Sequence, residues 1–189
     1  MKPRATTWQT VGPFFSIGMK HRYLADIAGT DSAGERIAVA GRVLDGDEAP
    51  ISDAVLEIWQ ANAHGKYAHS EDAQNKPLDP AFLGHGRIPT DSDGAFAFTT
   101  IKPGSVDLPD GRPQAPHLVV GLMMRGLLRR LTTRIYFPGD PLNESDEILQ
   151  RVEPARRKTL LLAPLAAGTG HFRWDIHMQG EAETVFFDF

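Results

Sequence analysis

Short runs of apolar and strand-favouring residues, separated by turn residues, recur along the chain. The segment AFAFTTI (95–101) alternates small and aromatic residues, as a half-buried strand does. The segments RIAVAGRVL (36–44) and DAVLEIWQA (53–61) are rich in residues that favour strands, and the turn residues Asp45 and Gly46 lie between them. These patterns predict three strands.

Five later segments extend the same pattern. They are HLVVGLMM and RLTTRIYF on either side of a turn at Gly126, followed by KTLLLAPL, HFRWDIHM and ETVFFDF. Only ESDEILQRV (144–152) has the spacing of apolar residues that is typical of a helix. About eight strands with long connections predict an all-β fold, a single-domain antiparallel β-sandwich with long loops and one short helix.

Two segments lack such a pattern, residues 1–34 and the loop 61–94. Long ordered loops in compact domains usually carry function or form interfaces. No internal repeat and no linker divides the chain. We therefore predict an N-terminal arm, residues 1–34, and one β-sandwich over residues 35–189.

Composition and charge narrow the classes of function. The 189 residues carry a net charge of −4, and such a surface does not attract nucleic acid or an anionic membrane. There is no cysteine, so a metal would need nitrogen or oxygen ligands. The N-terminus has no signal-peptide pattern, and the longest apolar run, 118–128, is interrupted by Arg125 and is too short to span a bilayer. We predict a cytoplasmic protein with no nucleic-acid or membrane partner.

Local motifs by themselves do not identify an active site. The chain has no G-x-S-x-G, no H-E-x-x-H and no phosphate-binding glycine loop. His117 opens the apolar run HLVVGLMM, and a lone histidine in that setting is more often a hydrogen-bonded core residue than a metal ligand. Its role stays open at this level.

Three longer segments, taken together, resemble the intradiol ring-cleavage dioxygenases. They are LEIWQANAHGKYAH (56–69), DSDGAFAFTTIKPGSV (91–106), and the pair APHLVV and RLTTRIYFPGDP within 115–141. The terminal segments WQTVGPFF (8–15) and QGEAETVFFDF (179–189) narrow the resemblance to the alpha type of chain in members that are built from two homologous chains. The resemblance covers nearly the whole sequence.

The resemblance implies a β-sandwich and a non-haem Fe(III) site with two tyrosinate and two histidine ligands. Tyr67 and His117 occupy one ligand position of each kind, but Val106 stands at the second tyrosine and Val119 at the second histidine. Gln114 also replaces an arginine of the metal-bearing relatives. We therefore expect these to be vestigial ligand positions, with no metal and no catalysis by this chain alone.

In such two-chain members, the resemblance places the Fe(III) on a homologous beta chain and the active site at the interface. It implies that Thr10, Gly12 and Pro13 of the arm (residues 1–34) reach the iron site of that partner. Arg134 is expected to enter the shared pocket, although by its pattern alone it would be a solvated strand arginine. A guanidinium suits a substrate with a ring carboxylate.

The implied reaction is the cleavage of 3,4-dihydroxybenzoate by O₂, between the two hydroxylated carbons, to 3-carboxy-cis,cis-muconate. The implied assembly is a higher-order alpha–beta oligomer. Two alternatives stay open. One is a self-sufficient homo-oligomeric dioxygenase for another catechol, which the missing ligands disfavour. The other is a non-catalytic β-sandwich binding module, which the retained TVGPF segment and Arg134 disfavour.

Overall fold

Short strands make up most of the regular structure. The computed structural model describes residues 6–12 and 14–188, and the following bounds refer to them. The strands are β1 (Arg36–Leu44), β2 (Val55–Trp59), β3 (His85–Pro89), β4 (Ala95–Ile101), β5 (Val106–Asp107), β6 (Pro113–Gln114), β7 (His117–Met123), β8 (Leu131–Tyr136), β9 (Ala163–Pro164), β10 (His171–Arg173) and β11 (Ile176–His177). The α-helices are α1 (Phe14–Met19) and α2 (Glu147–Gln150), and 3₁₀ helices cover Lys20–Arg22, Pro141–Glu144 and Pro154–Leu160.

The strands form two main sheets. In the first sheet β1 pairs with the antiparallel β4 along one edge and with the parallel β10 and β11 along the other, and β9 adds to β10. The second sheet has the order β3-β2-β7-β8 and is antiparallel throughout. The small pair β5–β6 lies apart from both sheets.

The two sheets share one hydrophobic core, as in a sandwich. Val39 and Phe98 enter it from the first sheet, and Leu56, Leu118 and Ile135 enter it from the second. All five are almost completely buried, because alternate residues of each strand point to the same face. The opposite, outer face of the second sheet therefore carries polar and partly exposed side chains.

The predicted β-sandwich is confirmed, and the predicted bounds of β1 and β4 match the structure. Two features of the prediction were wrong in detail. The pairings of β1 with β10 and β11 are parallel, so the fold is not purely antiparallel. There are two short α-helices instead of one within the described residues, because the predicted arm contains α1 in addition to α2, which Asp146 caps.

The N-terminal arm is not uniform. Leu24 and Asp26 form isolated bridges with Arg87 and Thr99, and Ile27 lies fully buried in the main core. The last part of the predicted arm, 1–34, thus packs into the sandwich, whereas its contact with a partner chain stays a prediction. Within the described part of the chain, no helix has the length and apolar character needed to cross a bilayer.

Gly41 provides a test of how closely β1 packs. A Cβ atom at this position would overlap the carbonyl group of Trp174, which is backbone and cannot turn aside. We expect Gly41→Ala to lower the free energy of unfolding by at least about 2 kcal/mol, measured by urea denaturation. Gly18→Ala is the matched control, since a Cβ there meets no atom within 4 Å. Equal stability of the two variants would contradict the described packing.

Candidate functional site

One row of residues across the second sheet organises the site. In the strand register Trp59 of β2 lies opposite Val119 of β7, and Val119 lies opposite Arg134 of β8. Side chains of directly paired residues point to the same face of a sheet. All three are partly exposed, whereas their neighbours Leu118 and Ile135 face the core. The row therefore lies on the outer face of the sandwich.

Tyr67 packs on Trp59, the first residue of this row. Its ring stacks on Trp59 with a centroid distance of 5.7 Å and an angle of 7° between the planes. The carboxylate of Asp72 accepts hydrogen bonds from the Tyr67 N–H at 2.8 Å and from the Lys66 ammonium at 3.3 Å, which fixes the loop. Burial raises the pKa of Tyr67, although the charge of Arg134 acts in the opposite direction. The phenol is therefore neutral near pH 7.

Val106 lies beside Tyr67. Both residues line an open cleft of about 770 Å³, together with Trp59 and Asp107. Val106 is in β5, where its backbone partner across the small sheet is Gln114 of β6. Its side chain is 8% exposed and offers only methyl groups, so this position has no donor for a metal.

His117 lies at the start of β7 and is 3% exposed. Its Nδ1 is 2.7 Å from the carbonyl oxygen of Ala115, which can only accept, so Nδ1 carries the proton. Its ring lies 5.8 Å from that of Tyr136. Burial, with a further contribution from the charge of Arg134, lowers the pKa of His117 to about 4. The imidazole is neutral at physiological pH, held as a core residue.

Asp146 closes the polar network behind His117. The carboxylate is fully buried and accepts hydrogen bonds from the Tyr136 hydroxyl at 3.1 Å and from the backbone N–H groups of Ala115 and Leu149. It thus caps α2 and fixes the backbone just before β7 at the same time. This role of Asp146 was not predicted from the sequence, although Asp146 stands at the helix start in the segment ESDEILQ, where a capping residue is expected.

Arg134 connects the parts of this site. Its Nη1 donates hydrogen bonds to Oε1 of Gln114 at 2.9 Å and to the Tyr136 hydroxyl at 3.4 Å. The pKa of His117 is lowered first by burial and second by the charge of Arg134. The same charge opposes the rise in the pKa of Tyr67 that burial causes. The structure therefore places Arg134 opposite Val119 and near enough to Tyr67 and His117 to affect their pKa values, and Gln114 connects Arg134 to the strand that pairs with Val106. Trp59, Tyr136 and Asp146 join them and were not predicted.

These side chains do not fit a ferric ion. Fe(III) needs hard, anionic oxygen donors, and the site offers one neutral phenol, one buried imidazole and two valines. The positive charge of Arg134 lies among them. Over residues 6–12 and 14–188, no cluster of three or more His, Asp or Glu side chains could hold a metal either.

The arm residues lie away from Arg134. The Thr10 hydroxyl accepts a hydrogen bond of 2.8 Å from the N–H of Gly126, in the turn after β7. The strand from Val119 to Met123 alone spans about 13 Å, so Thr10 and Arg134 form no common site in the single chain. Gly12 lies next to a small cleft that Arg125 also lines, and Pro13 lies outside the described residues.

A family model described as "Dioxygenase" matches residues 11–180. The protocatechuate 3,4-dioxygenase alpha chain of Pseudomonas putida is 38% identical, over 97% of this chain and 96% of that protein. The beta chain of the Burkholderia cepacia enzyme is 46% identical over 131 residues, which are 68% of this chain and 55% of that protein. Both types of chain are thus similar to this one.

Solved structures agree with the fold. The 3-chlorocatechol 1,2-dioxygenase of Rhodococcus opacus 1CP aligns with a TM-score of 0.64 and 26% identity, over 82% of this chain and 64% of that one. A dioxygenase domain from Streptomyces sp. SirexAA-E aligns with a TM-score of 0.65 and 24% identity, over 97% and 98% of the two chains. The second comparison supports the sandwich fold alone.

The burial of His117 predicts how stability depends on pH. As the pH falls through 6.5 the unfolded chain takes up a proton at this histidine, but the folded chain does so only near pH 4. The free energy of unfolding should therefore fall by up to about 1.4 kcal/mol per pH unit within this window. In His117→Gln this part of the pH dependence should disappear, and the free energy of unfolding at pH 7 should be lower by about 1 kcal/mol.

Urea unfolding of both proteins between pH 7 and pH 4 measures this effect. His64→Gln is the control, because His64 is an exposed loop histidine. An unchanged slope in His117→Gln would mean that His117 is not held neutral by its surroundings.

Proposed function

The chain belongs to the intradiol ring-cleavage dioxygenase family, and we propose that it is the metal-free, alpha-type subunit of a protocatechuate 3,4-dioxygenase. The observation that carries this proposal is the altered ligand set. Valines, Val106 and Val119, stand at two expected ligand positions, and Arg134 is the strand partner of Val119, in a chain that is 38% identical to an alpha chain over 97% of its length. A catalytic Fe(III) would then belong to a homologous beta chain.

The proposed reaction is the cleavage of 3,4-dihydroxybenzoate by O₂ to 3-carboxy-cis,cis-muconate, in the cytoplasm. The iron of the beta chain supplies the redox chemistry when it is bound there. This chain supplies part of the pocket wall, and the two chains assemble into a higher-order alpha–beta oligomer. No nucleic acid or membrane takes part, in keeping with the net charge of −4.

Arg134 is proposed to bind the ring carboxylate of the substrate. A guanidinium is planar, always charged and able to bind a carboxylate through two parallel hydrogen bonds. Gln114 accepts a hydrogen bond from Nη1 at 2.9 Å, which holds the group in place on the outer face of the second sheet. This role requires that face to lie against the partner chain.

The arm is proposed to contribute Thr10, Gly12 and Pro13 to the iron site of the partner. Trp8 is 68% exposed and Phe14 is 79% exposed, so the arm presents apolar side chains that the single chain does not cover. Thr10 lies on the β7–β8 turn, and the backbone of β7 from Met123 to Val119, the strand partner of Arg134, spans about 13 Å, so one substrate would have to bridge the two residues or the arm would have to move on assembly.

The location of the iron distinguishes this proposal from its alternatives. We expect the chain purified alone to be colourless, with no stoichiometric iron by mass spectrometry, because two donors are replaced by valines. Co-expression with a homologue that has all four ligands should give a coloured, active complex. Stoichiometric iron on the isolated chain would favour the self-sufficient enzyme, and the absence of any complex would favour the binding module.

Arg134→Ala tests the contact with the carboxylate. Removing one partner of a buried charge pair costs about 2–5 kcal/mol, which is roughly 30- to 3,000-fold in kcat/KM for 3,4-dihydroxybenzoate. The kcat/KM for catechol, which has no carboxylate, should fall much less. The loss in Arg134→Lys should be intermediate, because lysine keeps the charge but not the planar guanidinium. The iron content of the complex should stay the same.

The measured quantity is the ratio of the two losses, 3,4-dihydroxybenzoate over catechol. Arg151→Ala serves as the control, since Arg151 is an exposed arginine paired with Glu147 on α2. A ratio near one for Arg134→Ala, with assembly intact, would rule out the proposed contact and leave the chain a scaffolding role.

A further inference from the structure

A second row of residues crosses the outer face of the second sheet, beside the row that contains Trp59. In the strand register it consists of Arg87 of β3, Glu57 of β2, Gly121 of β7 and Thr132 of β8. Residues that are two positions apart on a strand point to the same face of a sheet. The two rows therefore share the outer face.

Gly121 leaves room in this row for the side chain of Arg130. A Cβ atom at position 121 would lie 2.0 to 2.1 Å from Nε, Cζ and Nη2 of that guanidinium group. Arg130 comes just before β8, and its Nη1 donates a hydrogen bond of 3.4 Å to the Thr132 hydroxyl. A glycine inside a strand often marks a place where another group approaches the backbone closely. Here that group is a guanidinium, which lies across the sheet.

One carboxylate holds two guanidinium groups in this row. Nε of Arg87 donates to Oε1 of Glu57 at 2.7 Å, and Nε of Arg130 lies 3.3 Å from Oε2 of the same carboxylate. Within residues 6–12 and 14–188, neither arginine forms an ion pair with a second carboxylate. The side chains of Arg87 and Glu57 are 23% and 20% exposed, and that of Arg130 is 41% exposed. The three groups thus carry one surplus positive charge that is already partly covered.

We infer that Arg87, Glu57 and Arg130 form a docking site for a carboxylate of the homologous metal-bearing chain, and that Gly121 fixes the position of Arg130 in it. The inference rests on the proposed function, which places this outer face against that chain. Covering the face would take the surplus positive charge out of water, and such a loss of hydration is costly unless an opposing charge replaces it. A carboxylate on the partner would supply that charge.

The geometry of the site suits this partner group. A planar guanidinium can bind a carboxylate through two parallel hydrogen bonds, which a flexible ammonium cannot do. Arg130 is held by Glu57 and Thr132 before any partner binds, so less conformational freedom is lost on association.

The test measures the dissociation constant of the complex between the full-length chain and a homologue that has all four iron ligands, by biolayer interferometry. Arg130→Gln removes the charge. Gly121→Ala keeps every charge but displaces the guanidinium, and the double variant combines the two changes. Arg36→Gln is the control, because Arg36 is an exposed arginine of the first sheet that pairs with Asp26.

Arg130→Gln and Gly121→Ala should each raise the dissociation constant at least about tenfold, because a charge pair of the interface is lost. The double variant should bind no more weakly than Arg130→Gln alone, since Gly121 acts only through Arg130. The control should stay within about twofold of the wild type. An unchanged dissociation constant for Arg130→Gln would overturn the inference, as would a further loss in the double variant when its urea unfolding matches that of Arg130→Gln.

The wild-type chain separates this inference from the proposed function. If the wild type forms no complex with the homologue, the proposed function fails. If it forms an iron-containing complex whose dissociation constant does not depend on Arg130, only the docking site is wrong. Sedimentation of the chain alone identifies the other possible occupant, since self-association that Arg130→Gln abolishes would assign the site to a second copy of this chain and overturn the inference.

Discussion

The pairing of β7 with β2 on one side and with β8 on the other is the constraint on which the site depends. It sets Trp59, Val119 and Arg134 in one row on the outer face. A slip of one residue would turn Arg134 toward the core and Ile135 toward the cleft. Leu118, Val120 and Ile135 are fully buried, so the hydrophobic core itself fixes the register. The position of the charge follows from apolar packing.

Burial and charge together decide which side chains of the site are neutral. The resemblance implies phenolate ligands around a metal cation in the metal-bearing members, whereas here Arg134, a permanent cation, donates hydrogen bonds to Gln114 and to the Tyr136 hydroxyl. Burial keeps Tyr67 protonated and His117 uncharged. The Asp146 carboxylate accepts hydrogen bonds from a hydroxyl and two backbone N–H groups. Asp146, Tyr136 and His117 thereby form one hydrogen-bonded and packed unit behind β7.

The amino-acid pattern predicted the parts of the fold that depend on regular alternation. The bounds of β1 and β4 could be read directly, because both alternate between core and surface. β3 was missed, since HGRIP contains glycine and proline and only one large apolar residue. The C-terminal VFFDF was predicted as a strand, but among its described residues, 185–188, only Phe187 forms a bridge, to Thr132. In 158–165, the first three residues belong to the 3₁₀ helix that begins at Pro154, Leu161 forms an isolated bridge with Tyr136, and only β9 is a regular strand.

The site could be predicted only in part, because sequence motifs do not show which residues meet across strands. The ligand positions Tyr67, Val106, His117 and Val119 are found from motifs, because each lies in a recognisable segment. The contacts of Arg134 with Gln114 and Tyr136 depend on which residues face each other across strands, and that information is three-dimensional. The separation of Thr10 from Arg134 likewise appears only once the arm is seen on the β7–β8 turn.

We propose that the iron of the assembled complex is bound by the partner chain and not by this chain. The most direct measurement is an anomalous difference map, recorded at the iron absorption edge, from crystals of the assembled alpha–beta complex. We predict one strong peak for each pair of chains, coordinated by the partner, and no peak among Tyr67, His117, Val119 and Arg134. A peak of comparable height between Tyr67 and His117 would contradict this account.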